Sequence, residues 1–254
     1  MNILVTNDDG VTAPGLLALA QEMRKLGKVT VFAPDKNWSA SGHVKTMERP
    51  LRVREATLGD GTSAFTSDGA PSDCVALPLL GLLGETFDLV VSGINPHANI
   101  GHDITYSGTV TAAMEAVING VKGIAVSLDS PDGFKGALDY STAAVVARRV
   151  AEKAIADGLP NGVVVNVNVP YLKENELKGY MITRQGLRVY RDELVTREDP
   201  RGRPYYWIGG EAPTGIDESG TDFGALKAGY VSITPLQLDL TSYKSMDALG
   251  KWKF

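Results

Sequence analysis

The feature that most limits the fold is a series of short, mostly apolar runs. They are Ile3 to Thr6, Val29 to Ala33, Leu89 to Ser92, Ile124 to Leu128 and Val163 to Val169. Each is rich in β-branched residues and shows little polar alternation, so each needs cover on both faces, as parallel strands do. Helical stripes fall between them. Pro14 to Leu26 opens with proline at a first-turn position and sets Leu16, Leu19, Ala20, Met23 and Leu26 on one side, with Gly27 as its stop. Ser72 to Leu83 is largely apolar. Thr109 to Asn119 carries Val110, Ala113, Met114, Val117 and Ile118, and Ala137 to Asp157 is closed by Gly158. Strands alternating with helices imply an α/β chain: a Rossmann-like, mostly parallel sheet flanked by helices.

Two stretches break this rhythm. Arg49 to Asp68 places Val53 and Phe65 around Gly59-Asp60-Gly61, which reads as a hairpin beside the sheet. After Pro170 the pattern changes: Tyr180 to Gln185 and Gly229 to Leu236 read as antiparallel strands. Between them Asp199-Pro200-Arg201-Gly202-Arg203-Pro204-Tyr205-Tyr206-Trp207 forms a polar, aromatic excursion, a composition that suits an interface. The tail, Leu240 to Phe254, reads as a short helix anchored by Met246, Leu249 and Trp252, packed on its own subunit or serving as an arm. The expected division is a Rossmann-like core over 1–170 and a β extension, projecting loop and arm over 171–254, together one domain of 254 residues.

Composition removes several function classes. A net charge of -5 offers no polybasic surface for a nucleic-acid polymer. The one cysteine, Cys74, permits neither an intrachain disulfide nor a Cys-rich zinc site, and its apolar surroundings suit a buried small hydrophobe. No run approaches the ~20 apolar residues of a membrane span, and the first residues lack a basic-then-apolar signal, so the expected location is cytoplasmic. His43, His97 and His102 form no helical zinc-binding pair. There is no Walker lysine and no GxGxxG, which disfavours P-loop and dinucleotide-binding enzymes.

The chemistry sits just after the strands. Asn7-Asp8-Asp9-Gly10 follows the first, at the end where parallel sheets bind ligands. Two adjacent acids repel unless a cation or shared proton relieves them. They suit a hard cation, and equally a polar turn in which one acid caps the next helix. Ser39 follows the second strand and Asn95 the third. Two carboxylates with a hydroxyl and an amide oxygen suit Mg²⁺, Mn²⁺ or Ca²⁺ rather than zinc. Ser107-Gly108-Thr109 opens a helix whose free N–H groups suit phosphate, or Ser107 is an ordinary N-cap.

These segments resemble the survival protein SurE family. The resemblance runs through Ile3-Leu4-Val5-Thr6-Asn7-Asp8-Asp9-Gly10-Val11, Ala13-Pro14-Gly15, Ala33-Pro34-Asp35, Asp73-Cys74-Val75 and Val91-Ser92-Gly93-Ile94-Asn95. It continues through Tyr106-Ser107-Gly108-Thr109-Val110, Asn166-Val167-Asn168-Val169-Pro170, Asp199-Pro200-Arg201-Gly202, Gly220-Thr221-Asp222-Phe223 and Gly229-Tyr230-Val231-Ser232-Ile233-Thr234-Pro235-Leu236, nearly the whole chain in order. It implies a metal-dependent phosphatase of nucleoside 5′- and 3′-monophosphates, acting in some members on short polyphosphate. It implies one divalent cation per subunit on Asp8, Asp9, Ser39 and Asn95, phosphate contacts from Asn99, Ser107, Gly108 and Thr109, and catalytic roles for Asp8 and Asp9. It also implies a homodimer or homotetramer with exchanged arms. The chain departs from the family pattern at Pro96-His97 and at Ala116. A covalent aspartyl phosphatase separates its acids by one residue, whereas here they adjoin. A metal-dependent signalling receiver module, the non-enzyme alternative, would be about half this length and would want an aspartate where Asn95 stands.

Overall fold

The computed structural model describes residues 1–253, all but 211–213 with their side chains. Strand β1 (Asn2–Thr6) pairs in parallel with β2 (Lys28–Pro34) on one side and β5 (Leu89–Asn95) on the other. Beyond β5, strands β6 (Lys122–Asp129) and β7 (Val163–Pro170) continue in parallel. The chain thus winds one way after β1 and the other way from β5. The ends of β1 and β5 are therefore a topological switch point, where open α/β sheets form their ligand crevice.

Both faces of the sheet are covered, and the period of two in β1 decides which side chain goes where. Ile3 and Val5 pack under α1 (Pro14–Met23) and α4 (Ser141–Ala156) with Leu16, Leu19, Val146 and Ala147. Leu4 points the other way, toward α2 (Pro71–Leu79) and α3 (Gly108–Ile118), with Val90, Cys74, Val75 and Ala112. Cys74 is buried, as its surroundings imply, and burial pushes its thiol up. Full burial of one such aliphatic side chain contributes about 1.5–3 kcal/mol.

Helix boundaries differ where side chains compete for the backbone. The first helix stops at Met23, and its last expected turn tightens so that Leu26 N bonds Met23 O. The second stops at Leu79 instead of Leu83, since Pro78 donates no N–H and the chain turns at Gly81. The fourth starts at Ser141 instead of Ala137, because the Asp139 carboxylate accepts from Ser141 N at 2.8 Å.

The segment over 49–68 is the expected hairpin. Strands β3 (Val53–Thr57) and β4 (Ser63–Ser67) are antiparallel, and β4 joins β2 in parallel. At the other edge β11 (Val231–Gln237) runs antiparallel to β7, as expected. Strand β8 is shorter than expected, Tyr180–Ile182, and lies parallel to β11, not antiparallel. The long connection between them, which includes α5 (Asp222–Lys227), allows that crossover. The sheet order is β3-β4-β2-β1-β5-β6-β7-β11-β8.

The aromatic excursion is a long ribbon. Strands β9 (Arg188–Glu198) and β10 (Pro204–Gly215) pair antiparallel, and Asp199 closes the turn by accepting from Arg201 N at 2.8 Å and Arg203 N at 2.9 Å. Tyr206, Trp207 and Ile208 are exposed on it. The tail helix α6 (Tyr243–Leu249) forms as expected, with Met246, Leu249 and Trp252 all exposed. Phe254 lies outside the described residues.

Candidate active site

The acid pair is aimed by the residue before it. Asn7 is buried and bonds Gly10 twice, Nδ2 to the carbonyl at 3.1 Å and Oδ1 from the N–H at 3.2 Å. This closes the turn at the end of β1, and Gly10 takes φ +103° there, a conformation glycine adopts without penalty. Asp8 is buried and meets the start of α3, where the Thr109 hydroxyl donates to Asp8 Oδ1 at 2.5 Å. A Cβ on Gly108 would lie 2.7 Å from Asp8 Cβ, so glycine is what lets the helix start approach the acid. Burial raises the Asp8 carboxyl above its ordinary value, against the opposing pull of Thr109 and the nearby backbone N–H groups. Asp9 is pushed up to about 7, by burial first and by the charge of Asp8 second. Among the described residues neither acid has an ion-pair partner.

Asp8, Ser39, Asn95, Asn99 and Ser107 line one cleft of about 1000 Å³, so loops after three different strands do converge. Asp9, Gly108 and Thr109 are not on its wall. Asp9 adjoins Asp8, and its charge acts on Tyr140, whose hydroxyl is pushed up to about 12 by burial and then by Asp9. The structure therefore divides the helix-start trio. Ser107 reaches the cleft and caps α3 by accepting from Val110 N at 3.1 Å, whereas Gly108 and Thr109 address Asp8.

Asn95 spends Nδ2 on the His97 carbonyl at 2.5 Å, which leaves Oδ1 as an unspent acceptor. Asn99 is clasped from β7. Its N–H donates to Asn168 Oδ1 at 2.8 Å, and its carbonyl accepts from Asn166 Nδ2 at 2.8 Å and Asn168 Nδ2 at 3.1 Å. Its side-chain Nδ2 donates to Ser127 Oγ at 2.8 Å. A hydroxyl both donates and accepts, so Ser127 can hold the Asn99 amide in either orientation. Ser39 sits beside Ala40, which takes φ +58°, an uncommon value for a residue with a Cβ. Asp8, Ser39 and Asn95 present oxygens to the cleft that could hold a hard cation, and Asp9, off its wall, adjoins them through Asp8. Among the described residues no group of three or more His, Cys, Asp or Glu offers an alternative metal site.

Sequence reasoning missed what holds the Ser39 loop. Glu115, buried on α3, accepts from Lys45 Nζ at 2.8 Å and pairs with His43 Nε2 at 3.1 Å. Burial alone would push the Glu115 carboxyl up, yet Lys45, His43 and Asn119 together hold it below its ordinary value. Gly42 N also bonds Tyr106 O at 2.9 Å, and Thr46 N bonds Asp73 Oδ1 at 3.1 Å. The one available signal was a glutamate amid the apolar and small residues of a buried helix. His97 lines the cleft and meets Ser130 Oγ at 3.1 Å, while His102 is exposed. Pro96, too, lines the cleft, and Ala116 is fully buried between α2 and the sheet.

Fold and site together define a doubly wound α/β protein with an oxygen-lined acidic cleft at its switch point. The chain belongs to the survival protein SurE family, whose model, "Survival protein SurE", matches residues 3–192. It is 54% identical over 242 residues to the "5'-nucleotidase SurE" of Herpetosiphon aurantiacus, covering 95% of this chain and 94% of that protein. It is 51% identical to the "5'-nucleotidase SurE" of Chloroflexus aggregans over the whole of both. The crystal structure of the SurE protein from Aquifex aeolicus superposes with a TM-score of 0.82 at 40% identity, covering 98% of each chain. Among the described residues no helix is long and apolar enough to cross a membrane.

Proposed function

We propose that this chain is a divalent-cation-dependent phosphatase that hydrolyses nucleoside 5′- and 3′-monophosphates to nucleoside and phosphate, and also short polyphosphate. The observation that carries the reading is the Asp8–Asp9 pair. Both carboxyls are raised and lack a cationic partner among the described residues, and Asp8 opens on a cleft far larger than a phosphate. The names of the relatives from Herpetosiphon and Chloroflexus support the same substrate class.

Asp8, Asp9, Ser39 and Asn95 would hold one Mg²⁺ or Mn²⁺, with Ca²⁺ as a substitute. When bound, the ion supplies neutralisation of phosphoryl charge and a lowered pKa for water. The chain's own residues do the rest. Ser107 and Asn99 hold phosphoryl oxygens from the cleft wall. Thr109 fixes the rotamer of Asp8 through its 2.5 Å bond, and the N-terminus of α3 adds its dipole behind. An acid of the pair accepts the proton of the attacking water, the bond from phosphorus to the ester oxygen breaks as the new one forms, and the departing oxygen takes up a proton, from that acid or from solvent water, to leave as the nucleoside hydroxyl. The exposed ribbon and α6 support assembly into a homodimer or homotetramer, and the single buried cysteine suits a reducing cytoplasm. No role for nucleic-acid polymers or membranes is proposed.

The test is chelation followed by reconstitution with Mg²⁺, Mn²⁺ or Ca²⁺ and assay against nucleotides and polyphosphate. Turnover should vanish with the metal and return with Mg²⁺ or Mn²⁺. Undiminished turnover in excess chelator would remove the cation from the mechanism.

A further inference from the structure

On the reading above, a phosphate would fill only the Asp8 end of the cleft, whose volume is about 1000 Å³. Beyond it the wall is built by Asp129 at the end of β6 and Asp132 after it, by Tyr171 after β7, and by Arg188 and Phe223. Asp129 is the last residue of β6. Asn95 pairs with Ser127 of that strand, which also carries the Asn99 amide, so Asp129 stands two residues farther along, about 7 Å at a strand's rise.

The acids of this wall differ in how they are used. Asp103 is occupied by Arg188 Nε at 2.7 Å and by the Tyr190 hydroxyl. Asp8 is occupied by Thr109, and Asp132 is exposed to water. Asp129 is half-buried and, among the described residues, makes no hydrogen bond or ion pair. Burial pushes its carboxyl up, with Arg188 pulling back. A partly desolvated carboxylate without donors gains most from a ligand that brings them. A second anion is disfavoured by Asp103, Asp129 and Asp132 together. Neutral hydroxyl donors fit.

We propose that Asp129 recognises the ribose, its carboxylate accepting hydrogen bonds from the free ribose hydroxyls of the bound nucleotide. The assignment rests on the nucleotidase reading above and adds a polarity to it: phosphate at the Asp8 end, diol at the end of β6. It makes Asp129 a determinant of which phosphate esters are taken, distinct from the groups that act on phosphorus.

The experiment compares the metal-reconstituted wild type with Asp129→Ala and Asp129→Asn. The substrates are a ribonucleoside 5′-monophosphate, its 2′,3′-dideoxy analogue and p-nitrophenyl phosphate. A hydrogen bond to a charged group predicts about a ten- to hundredfold preference of wild type for the ribonucleotide over the dideoxy form in kcat/KM. In Asp129→Ala the KM for the ribonucleotide should rise at least about tenfold more than for the other two esters, and the preference should collapse. Asp129→Asn keeps the shape and one acceptor, so it should fall between. A loss shared equally by all three substrates in both variants would overturn the assignment, as would a wild type indifferent to the hydroxyls, while leaving the phosphatase reading intact. Failure of the wild type to turn over any of the three would remove both.

Discussion

Leu4 in β1 and Ile208 in β10 are both aliphatic residues in well-paired strands, yet Leu4 is fully buried and Ile208 is 85% exposed. The strands differ in two ways: β1 is paired on both edges and lies under helices on both faces, while β10 is paired on one edge only and, among the described residues, no core cluster includes the β9–β10 ribbon. A lone two-stranded ribbon is marginal in water. The core thus spends its apolar residues on fixing strand ends, and the strand ends carry the acids. The ribbon holds its apolar residues outward. The two regions meet at the cleft, where Arg188 and Thr214 at the root of the ribbon join the wall.

The comparison is broken most severely at the acids. Asp8→Asn or Asp9→Asn should lower hydrolysis at least about a hundredfold, since each removes a charge from the proposed cation site. The fold should survive, because a like-charge repulsion is lost with the charge. Near-normal turnover in both variants, with unaltered melting, would mean that the chemistry lies elsewhere. Next in size is Leu4→Ala. It leaves a cavity among Val75, Val90 and Ala112 and should cost about 2–5 kcal/mol in chemical denaturation at fixed protein concentration. A cost below about 1 kcal/mol would show that this face of the sheet is loosely packed.

Glu115→Gln probes the join between the helix and the Ser39 loop. It should cost about 1–3 kcal/mol at pH 7, reduced by salt because Lys45 is about half exposed. The folded carboxyl lies below its ordinary value, so its contribution is complete above the unfolded value of about 4.3 and is lost as pH falls through the lower folded value. Wild type and variant should therefore converge in stability at acid pH. A constant gap down to pH 3 would mean that the carboxylate's charge is not what holds the loop.

That join also marks the limit of what the sequence discloses. Strand positions, the switch-point acids and the capped start of α3 were legible, because each depends on neighbours within a few residues. Glu115 and His43 are 72 residues apart, and Asn99 and Asn168 are 69 apart. Nothing local marks such partners. The β9 strand was missed for a related reason. Its alternation is polar on both sides, since no layer covers it, and only its β10 partner makes it a strand. The parallel setting of β8 likewise depends on where β11 lands.

The smallest expected effect on the chain itself is at the ribbon, and it sharpens the comparison best. Ile208→Ser removes an aliphatic side chain from a position already in water, so the stability of the isolated chain should change by no more than about 0.5 kcal/mol. Cleft residues are untouched, and kcat per chain should hold as long as the root of the ribbon keeps Arg188 on Asp103. Assembly should respond differently. If the ribbon's outward face is where copies meet, the serine must be desolvated there without a partner, at about 1–3 kcal/mol per interface. Light scattering across a dilution series should then show the variant dissociating at roughly five- to a hundredfold higher concentration than the wild type, since each 1.4 kcal/mol is a factor of ten. Equal dissociation constants for the two proteins would place the interface elsewhere. The exposed helix α6 would then be the next surface to alter.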